Sequence, residues 1–321
     1  MKIQIQNLDE NNSINLSANI GNQRFANESN CYIDFSNLCS CTPSGVLLTS
    51  SVIKNFQKKN PKMKINFHID KENISTIHAS NMRFFSTIDE KQEIDKGIEI
   101  DKIKDQFIPI TKFHFYDYTK SWMYSHMTPL QYIEYEARTF ARALATTENQ
   151  ENLLAFIINE IMRNSEQHAG VDYVWICGQN FKDRNIIEIA ILDEGIGYKR
   201  RLEKIFKTKI NSDEKAIKMA SRPIIGEVHS NNIEDEENEI GVGMHVVSEI
   251  CNSLKGSFSV VSGNTAIIRG AGSTITKKAF HKGSFVKLVI DTSQSFVYKD
   301  LVGNIFDKTD IIIKNKLETL I

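Results

Sequence analysis

Asn159-Glu160-Ile161-Met162-Arg163-Asn164-Ser165-Glu166-Gln167-His168-Ala169-Gly170 closes a strongly apolar run, Leu153-Leu154-Ala155-Phe156-Ile157-Ile158. Together they read as one helix over 150–168, with Asn149 as its N-cap. Glu160 and Asn164 are four apart, so they share a helical face and can address one ligand. A carboxylate and a carboxamide so placed suit a metal-bound phosphate. They suit a solvated face equally well, and the neighbouring segments decide between the two.

Upstream, Phe107 to Phe115 alternates as a strand, and a loop with Trp122, Met123 and Met127 leads into a helix over 129–145. Downstream, Tyr173 to Gly178 and Ile186 to Leu192 read as strands joined by the polar turn Lys182-Asp183-Arg184-Asn185. The second ends in Asp193-Glu194-Gly195-Ile196-Gly197. A long polar segment, with a short helix at 215–220, runs from there to Gly241-Val242-Gly243, which opens an apolar helix through Val246, Val247 and Ile250. Residues 256–262 and 284–290 supply two further strands, and 297–321 reads as a helical appendage.

Each of these pieces has a use at a nucleotide. Asp193 at a strand end can accept a hydrogen bond from an exocyclic amine such as the adenine N6. Gly195 and Gly197 let backbone approach base and sugar. Gly241 and Gly243 expose N–H groups at a helix N-terminus, a site for phosphate oxygens. Asn164 offers a neutral oxygen to Mg²⁺, and Glu160, one turn away, can polarise a water or hydroxyl for attack on a γ-phosphate. Taken singly, these are a common turn, a common helix start and two polar residues; their joint order favours ATP.

In that order the chain resembles the GHKL superfamily, the Bergerat-fold ATPases that include gyrase, Hsp90, histidine kinases, MutL and anti-sigma-factor kinases. Glu160-Ile161-Met162-Arg163-Asn164 with His168 is similar to the family's N box, and Asp193-Glu194-Gly195-Ile196-Gly197 to its adenine box. Gly241-Val242-Gly243-Met244, followed by His245, is similar to the Gly-x-Gly-Leu box, and Gly283-Ser284 stands where Gly-Thr is common. The resemblance implies an α+β fold over 107–295: a sandwich with a mixed sheet covered by helices on one face, and an ATP lid over about 198–240. It implies ATP and Mg²⁺ as cofactors, Glu160 as catalytic base, Asn164 as metal ligand, and a nucleotide held by Asn164, His168, Asp193, Gly195, Gly197, Gly241, Val242, Gly243, Met244, His245 and Ser284. His168 can alternatively complement the helix dipole, and His245 can cap the glycine turn. Lys199, Arg200 and Arg201 lie near the lid, in solvent or on phosphate. The acidic tract Ile233 to Glu239 is expected to be disordered without nucleotide.

Residues 1–88 read as a small α/β unit: a strand over 1–7, a strand over 31–35, a helix from Thr42-Pro43 to about Lys58, a strand over 64–69 and a helix over 77–88. Asp34-Phe35-Ser36, a polar loop and Ser44-Gly45 at a helix start resemble STAS-like domains of bacterial regulators. In anti-anti-sigma factors the corresponding loop carries a phosphorylated serine; here Thr42 and Pro43 stand at its first two positions. The expected role is an adaptor that docks on a protein partner or forms a homodimer. Residues 89–106, dense in Glu, Asp and Lys, read as a linker.

The chain has 321 residues, a formal charge of −1 and five cysteines. That charge gives no case for nucleic acid as main partner. No apolar run approaches the ~20 residues that span a bilayer, and the start lacks a signal-peptide core, so the cytoplasm is the expected compartment. Cysteine number and spacing argue against a disulfide framework or zinc site, so all five are expected reduced. The segment Leu130 to Arg138, where an autokinase would carry its phosphoacceptor, has no histidine. The expected function is Mg²⁺-dependent ATP hydrolysis or transfer to a partner serine or threonine, with an ATP-gated interaction switch as the alternative.

Overall fold

The computed structural model of the chain describes residues 1–89, 106–117, 126–223, 242–270 and 272–318. Most of the expected linker, Trp122 and Met123, Gly241, the acidic tract and the last three residues lie outside them. Helices and strands are both abundant, and the fold is mixed α and β.

The N-terminal unit has β1 (Lys2–Gln4), β2 (Asn7–Leu8), α1 (Glu10–Ile20), β3 (Asn30–Asp34), β4 (Ser40–Cys41), α2 (Pro43–Lys59), β5 (Lys64–His68), α3 (Ile74–Asn81) and α4 (Phe84–Ile88). Strands β1, β3 and β5 form a parallel sheet in that order, and β2 pairs with β4. The expected first strand is thus split, and α1 was not anticipated. Its buried positions, Glu10, Ser13, Ile14, Ser17 and Ile20, have helical spacing, but only two are aliphatic. Asp9 caps it, accepting a hydrogen bond from the Asn12 amide at 2.9 Å. Thr42 caps α2 as expected. The helix read over 77–88 is two, broken where Arg83 takes a left-handed φ of 59°.

The remaining elements are β6 (Gln106–His114), α5 (Pro129–Leu144), α6 (Glu148–His168), β7 (Tyr173–Phe181), β8 (Ile186–Asp193), α7 (Gly197–Phe206), α8 (Asp213–Ala220), α9 (Val242–Ser253), β9 (Ser257–Gly270), β10 (Ser273–Asp291) and α10 (Tyr298–Glu318). The strand order is β6-β7-β8-β10-β9, and every neighbouring pair is antiparallel. This corrects the expected mixed sheet: two hairpins, β7–β8 and β9–β10, dominate it, and hairpin partners must run antiparallel. The second hairpin extends well past the two strands expected, because Lys277, Lys278 and Asn264 interrupt its apolar pattern. Thr147, not Asn149, caps α6; the Asn149 side chain instead accepts the first backbone N–H of α10, from Tyr298, at 3.1 Å. Val302 and Ile305 on α10 are buried in the helical core, so this helix is part of the fold rather than an appendage.

Both faces of the sheet are covered. Ile187, Ile189 and Ile191 of β8 face the helical layer with Ile157, Ile158, Val246 and Ile250. Their alternates Ala190 and Leu192, with Cys177, Val261 and Phe285, join the core of the N-terminal unit around Leu47, Leu48 and Phe84. A strand buried on both faces reads as a continuous apolar run, which is how Ile186 to Leu192 reads.

Across the N-terminal contact runs one buried charged chain. Glu188 of β8 accepts the Ser44 backbone N–H at 2.8 Å, at the positive end of α2. Lys287 of β10 pairs with Glu10 of α1 at 2.9 Å, with side chains only 12% and 11% exposed. Burial alone would lower the Lys287 pKa, but the Glu10 and Glu188 carboxylates raise it above its usual value. Ser44 is fully buried under this contact. Removing the cation should strand two carboxylates in the interface. Lys287→Met is expected to destabilise the protein by about 3–5 kcal/mol, the usual cost of breaking a buried pair, read as a lower midpoint in urea unfolding.

Candidate functional site

The antiparallel pairing of β8 with β10 sets Ser284, within β10, opposite Asp193 at the end of β8. Asp193 is 3% exposed and meets three donors. Its Oδ1 accepts the backbone N–H groups of Gly195 at 2.9 Å and Ser284 at 3.2 Å, and Oδ2 faces the Ser165 hydroxyl at 3.3 Å. Burial pushes its carboxyl up; the Gly195 amide, His281 and Ser284 act in the opposite sense.

Two residues here were not picked out from the sequence. His281 Nε2 lies 2.7 Å from the Asp193 carbonyl oxygen. A carbonyl only accepts, so Nε2 carries the proton. Burial lowers the His281 pKa against the pull of Asp193, and the ring serves as a neutral donor. Ser262 accepts the Tyr198 N–H at 3.1 Å and donates to the Gly283 carbonyl at 2.8 Å. A lone His and a Ser on long strands carry no sequence signal; only the hairpin's register shifts between Lys278 and Ser284 bring them here.

Of the expected glycines, Gly195 packs against Ala169 at the end of α6. Gly197 has a φ of +73°, which turns the chain directly into α7. At Gly243 a Cβ would collide with Glu160 Oε2 and come within 3.8 Å of Asn164 Nδ2. The start of α9 is thus pressed onto the two polar residues of α6. Val242 is the first residue of that helix and packs on the core, while Met244 and His245 are buried. Met244 Sδ lies 3.9 Å from the Tyr198 hydroxyl. Gly241 lies outside the described residues.

On α6 itself, Asn164 Nδ2 donates to the Glu160 carbonyl at 2.7 Å, which turns Oδ1 outward. Arg163 Nη1 is 3.9 Å from Glu160 Oε1. Of the three cations expected near the lid, Arg200 is exposed, but Arg201 turns inward and donates from Nη2 to Asn164 Oδ1 at 3.0 Å. Residues 198–206 and 213–220, expected within the lid, are the helices α7 and α8, and Tyr198 and Leu202 are part of the helical core.

The site closes on a small cavity of about 10 Å³ between α6, the strand ends and α7, lined by Asn164, Ser165, Asp193, Tyr198, Arg201 and Ser284. The donor chemistry fits a purine amine on Asp193 and a metal-bound phosphate on Asn164. A purine needs more room than these side chains leave. Among the described residues no three His, Cys, Asp or Glu side chains group as a metal cage. All five cysteines are free, and no described helix is long and apolar enough to cross a membrane.

No protein-family model matches the chain, and no curated protein or solved structure matches it significantly.

His168 ends α6 and lines the same cavity. Burial, and then Arg201, lower its pKa from 6.5 to about 4. It is therefore neutral at pH 7 and does not complement the helix dipole, contrary to the alternative reading of its position. A base with a depressed folded pKa binds fewer protons folded than unfolded. Stability should therefore fall as pH drops from about 6.5 towards about 4. His168→Asn should flatten that part of the curve in urea midpoints measured against pH, with little change at pH 8.

Proposed function

We propose that this chain binds ATP with Mg²⁺ and acts as a GHKL-type ATPase or protein serine/threonine kinase. The observation that carries the reading is the convergence of distant segments on one cavity. Asn164 of α6, Asp193 of β8 and Ser284 of β10 line it, Gly195 donates its N–H to Asp193, and Gly243 of α9 abuts Glu160 and Asn164 beside it; along the chain α6, β8, α9 and β10 follow one another as the GHKL boxes do. Chance matches to four short motifs would have no reason to meet around the end of β8. The corrected, wholly antiparallel sheet departs from the mixed sheet of a Bergerat fold, so the site rather than the sheet supports the assignment. The likeness of residues 1–88 to STAS domains rests on β3, the following loop and α2, and we infer an adaptor role for that unit.

In this reading Asp193 holds the exocyclic amine of adenine in a dry pocket, where losing an acceptor leaves a donor unpaired. Its carboxylate is set by Ser165, Gly195 and Ser284, and His281 fixes the backbone beneath it. Asn164 Oδ1 would be the one protein oxygen on the metal, and Mg²⁺ would neutralise charge on the transferring phosphoryl. The start of α9, where Gly243 carries no side chain, would face phosphate. Glu160, pressed against Gly243, is placed to orient or deprotonate a water or a partner hydroxyl.

Asp193→Asn should weaken ATP binding about ten-fold or more by calorimetry, since the side chain would then present a donor to a donor. Unchanged affinity would place the base elsewhere. Glu160→Ala should keep ATP binding and lose ADP release by at least about a hundred-fold, the usual scale of a general base. If wild type and Glu160→Ala release ADP equally slowly, Glu160 is not a base and the ATP-gated interaction switch becomes the better reading.

A further inference from the structure

Among the described residues, Arg201 is the one cation that the fold turns into this cavity. It stands in the inward phase of α7 with Tyr198 and Leu202, at spacings of three and one. Its Nη2 donates to Asn164 Oδ1 at 3.0 Å, while the Asn164 amide nitrogen is held by the Glu160 carbonyl. Its Nε is buried and has no hydrogen-bond partner. Burial disfavours the charged guanidinium, with Tyr198 and Asp193 opposing that, and an arginine stays ionised in proteins regardless. A positive charge thus rests on the oxygen that the ATP reading assigns to Mg²⁺. The room left beside it, about 10 Å³, is that of one water molecule.

We propose that Arg201 is a resident cation that competes with the divalent metal for Asn164. On this proposal, which rests on the ATP reading, metal-bound nucleotide enters only when the first turn of α7 has carried Arg201 out. Two consequences follow from charge alone. Metal and Arg201 exclude one another, so metal-bound nucleotide binds less tightly than the site would allow. Metal-free nucleotide, by contrast, retains Arg201 as a counter-charge and is penalised less.

The test is equilibrium binding of the non-hydrolysable nucleotide AMP-PNP to the full chain, in Mg²⁺ and in EDTA, for wild type, Arg201→Gln and Arg201→Lys. In Mg²⁺, Arg201→Gln should bind about ten-fold tighter than wild type, the tax on a site whose open arrangement is ~10% populated. In EDTA it should bind no tighter. The ratio of the two affinities should therefore rise about ten-fold in Arg201→Gln and stay near wild type in Arg201→Lys, a split that a merely structural arginine would not produce. In stopped flow, the observed rate for wild type should level off with nucleotide concentration. An unchanged ratio overturns the proposal. So does weaker Mg²⁺-dependent binding by Arg201→Gln, which would make Arg201 a phosphate ligand. Where Arg201→Gln fails to fold, the wild-type rates decide, and a linear rise overturns the proposal. Binding that Asp193→Asn abolishes and Arg201→Gln leaves unaltered sinks this proposal alone. Absence of binding by every variant in both conditions sinks the ATP reading with it.

Discussion

A five-stranded sheet that is apolar on both faces has to be covered twice, and most of this architecture answers that constraint. At about 25 cal/mol per Å² of apolar surface, leaving the Ala190, Leu192 and Phe285 face in water would forfeit a large part of the folding free energy. Helices α5, α6 and α9 cover one face, and the N-terminal unit covers the other. Apolar contact is non-directional, so it does not by itself fix how the second layer sits. The Glu10–Lys287 pair and the Glu188 carboxylate at the Ser44 amide supply direction: each is satisfied in one placement only. A buried pair of this kind adds little net stability over an apolar one, and registry is its best-attested use.

The same sheet builds the site by its pairing. Because β8 and β10 run antiparallel, the last residue of one stands opposite Ser284 of the other, and the Ser284 N–H reaches back to the Asp193 carboxylate. The hairpin irregularities between Lys278 and Ser284 then set the His281 ring under the Asp193 carbonyl. The backbone around Asp193 is held from below by β10 and from above by Ser165 of α6. A carboxylate so fixed costs little reorganisation when it receives a ligand donor.

How much of this was legible in the sequence follows from which forces are local. The cap at Thr42, the continuous apolar run of β8 and the long α6 are written in neighbouring residues, and their element types are as expected. Helix α1 is not legible, because its inward face is built of Ser13 and Ser17, whose hydroxyls find partners on other elements: Ser13 with Thr49 and Ser17 with the Phe280 amide. The antiparallel direction is local within the hairpins β7–β8 and β9–β10, but the joining of β8 to β10 and the cover on the second face are long-range facts: Ser44 meets Glu188 and Glu10 meets Lys287 across 144 and 277 positions. For the site, Glu160, Asn164, Asp193 and the glycines could be read from spacing. His281 and Ser262 could not, since their roles depend on hairpin register.

Arg201 marks the boundary between the two cases. In the run Lys199-Arg200-Arg201 the three cations are interchangeable as charges, and only helical phase separates them. Once Gly197 is fixed as the turn into a helix, Tyr198, Leu202 and Ile205 define the inward stripe at a period near 3.6, and Arg201 falls within it while Arg200 points to solvent. A cation in the apolar phase of a helix contradicts the local rule that charges face water. Such contradictions persist where another requirement over-determines them. Here the arginine meets a carboxamide oxygen that is itself oriented by the backbone one turn earlier, and its own Nε is left without a partner. A half-satisfied cation beside Asn164 and Asp193 is thus a long-range arrangement that the local pattern of charges could not announce, and it is the observation on which the proposed competition at Asn164 rests.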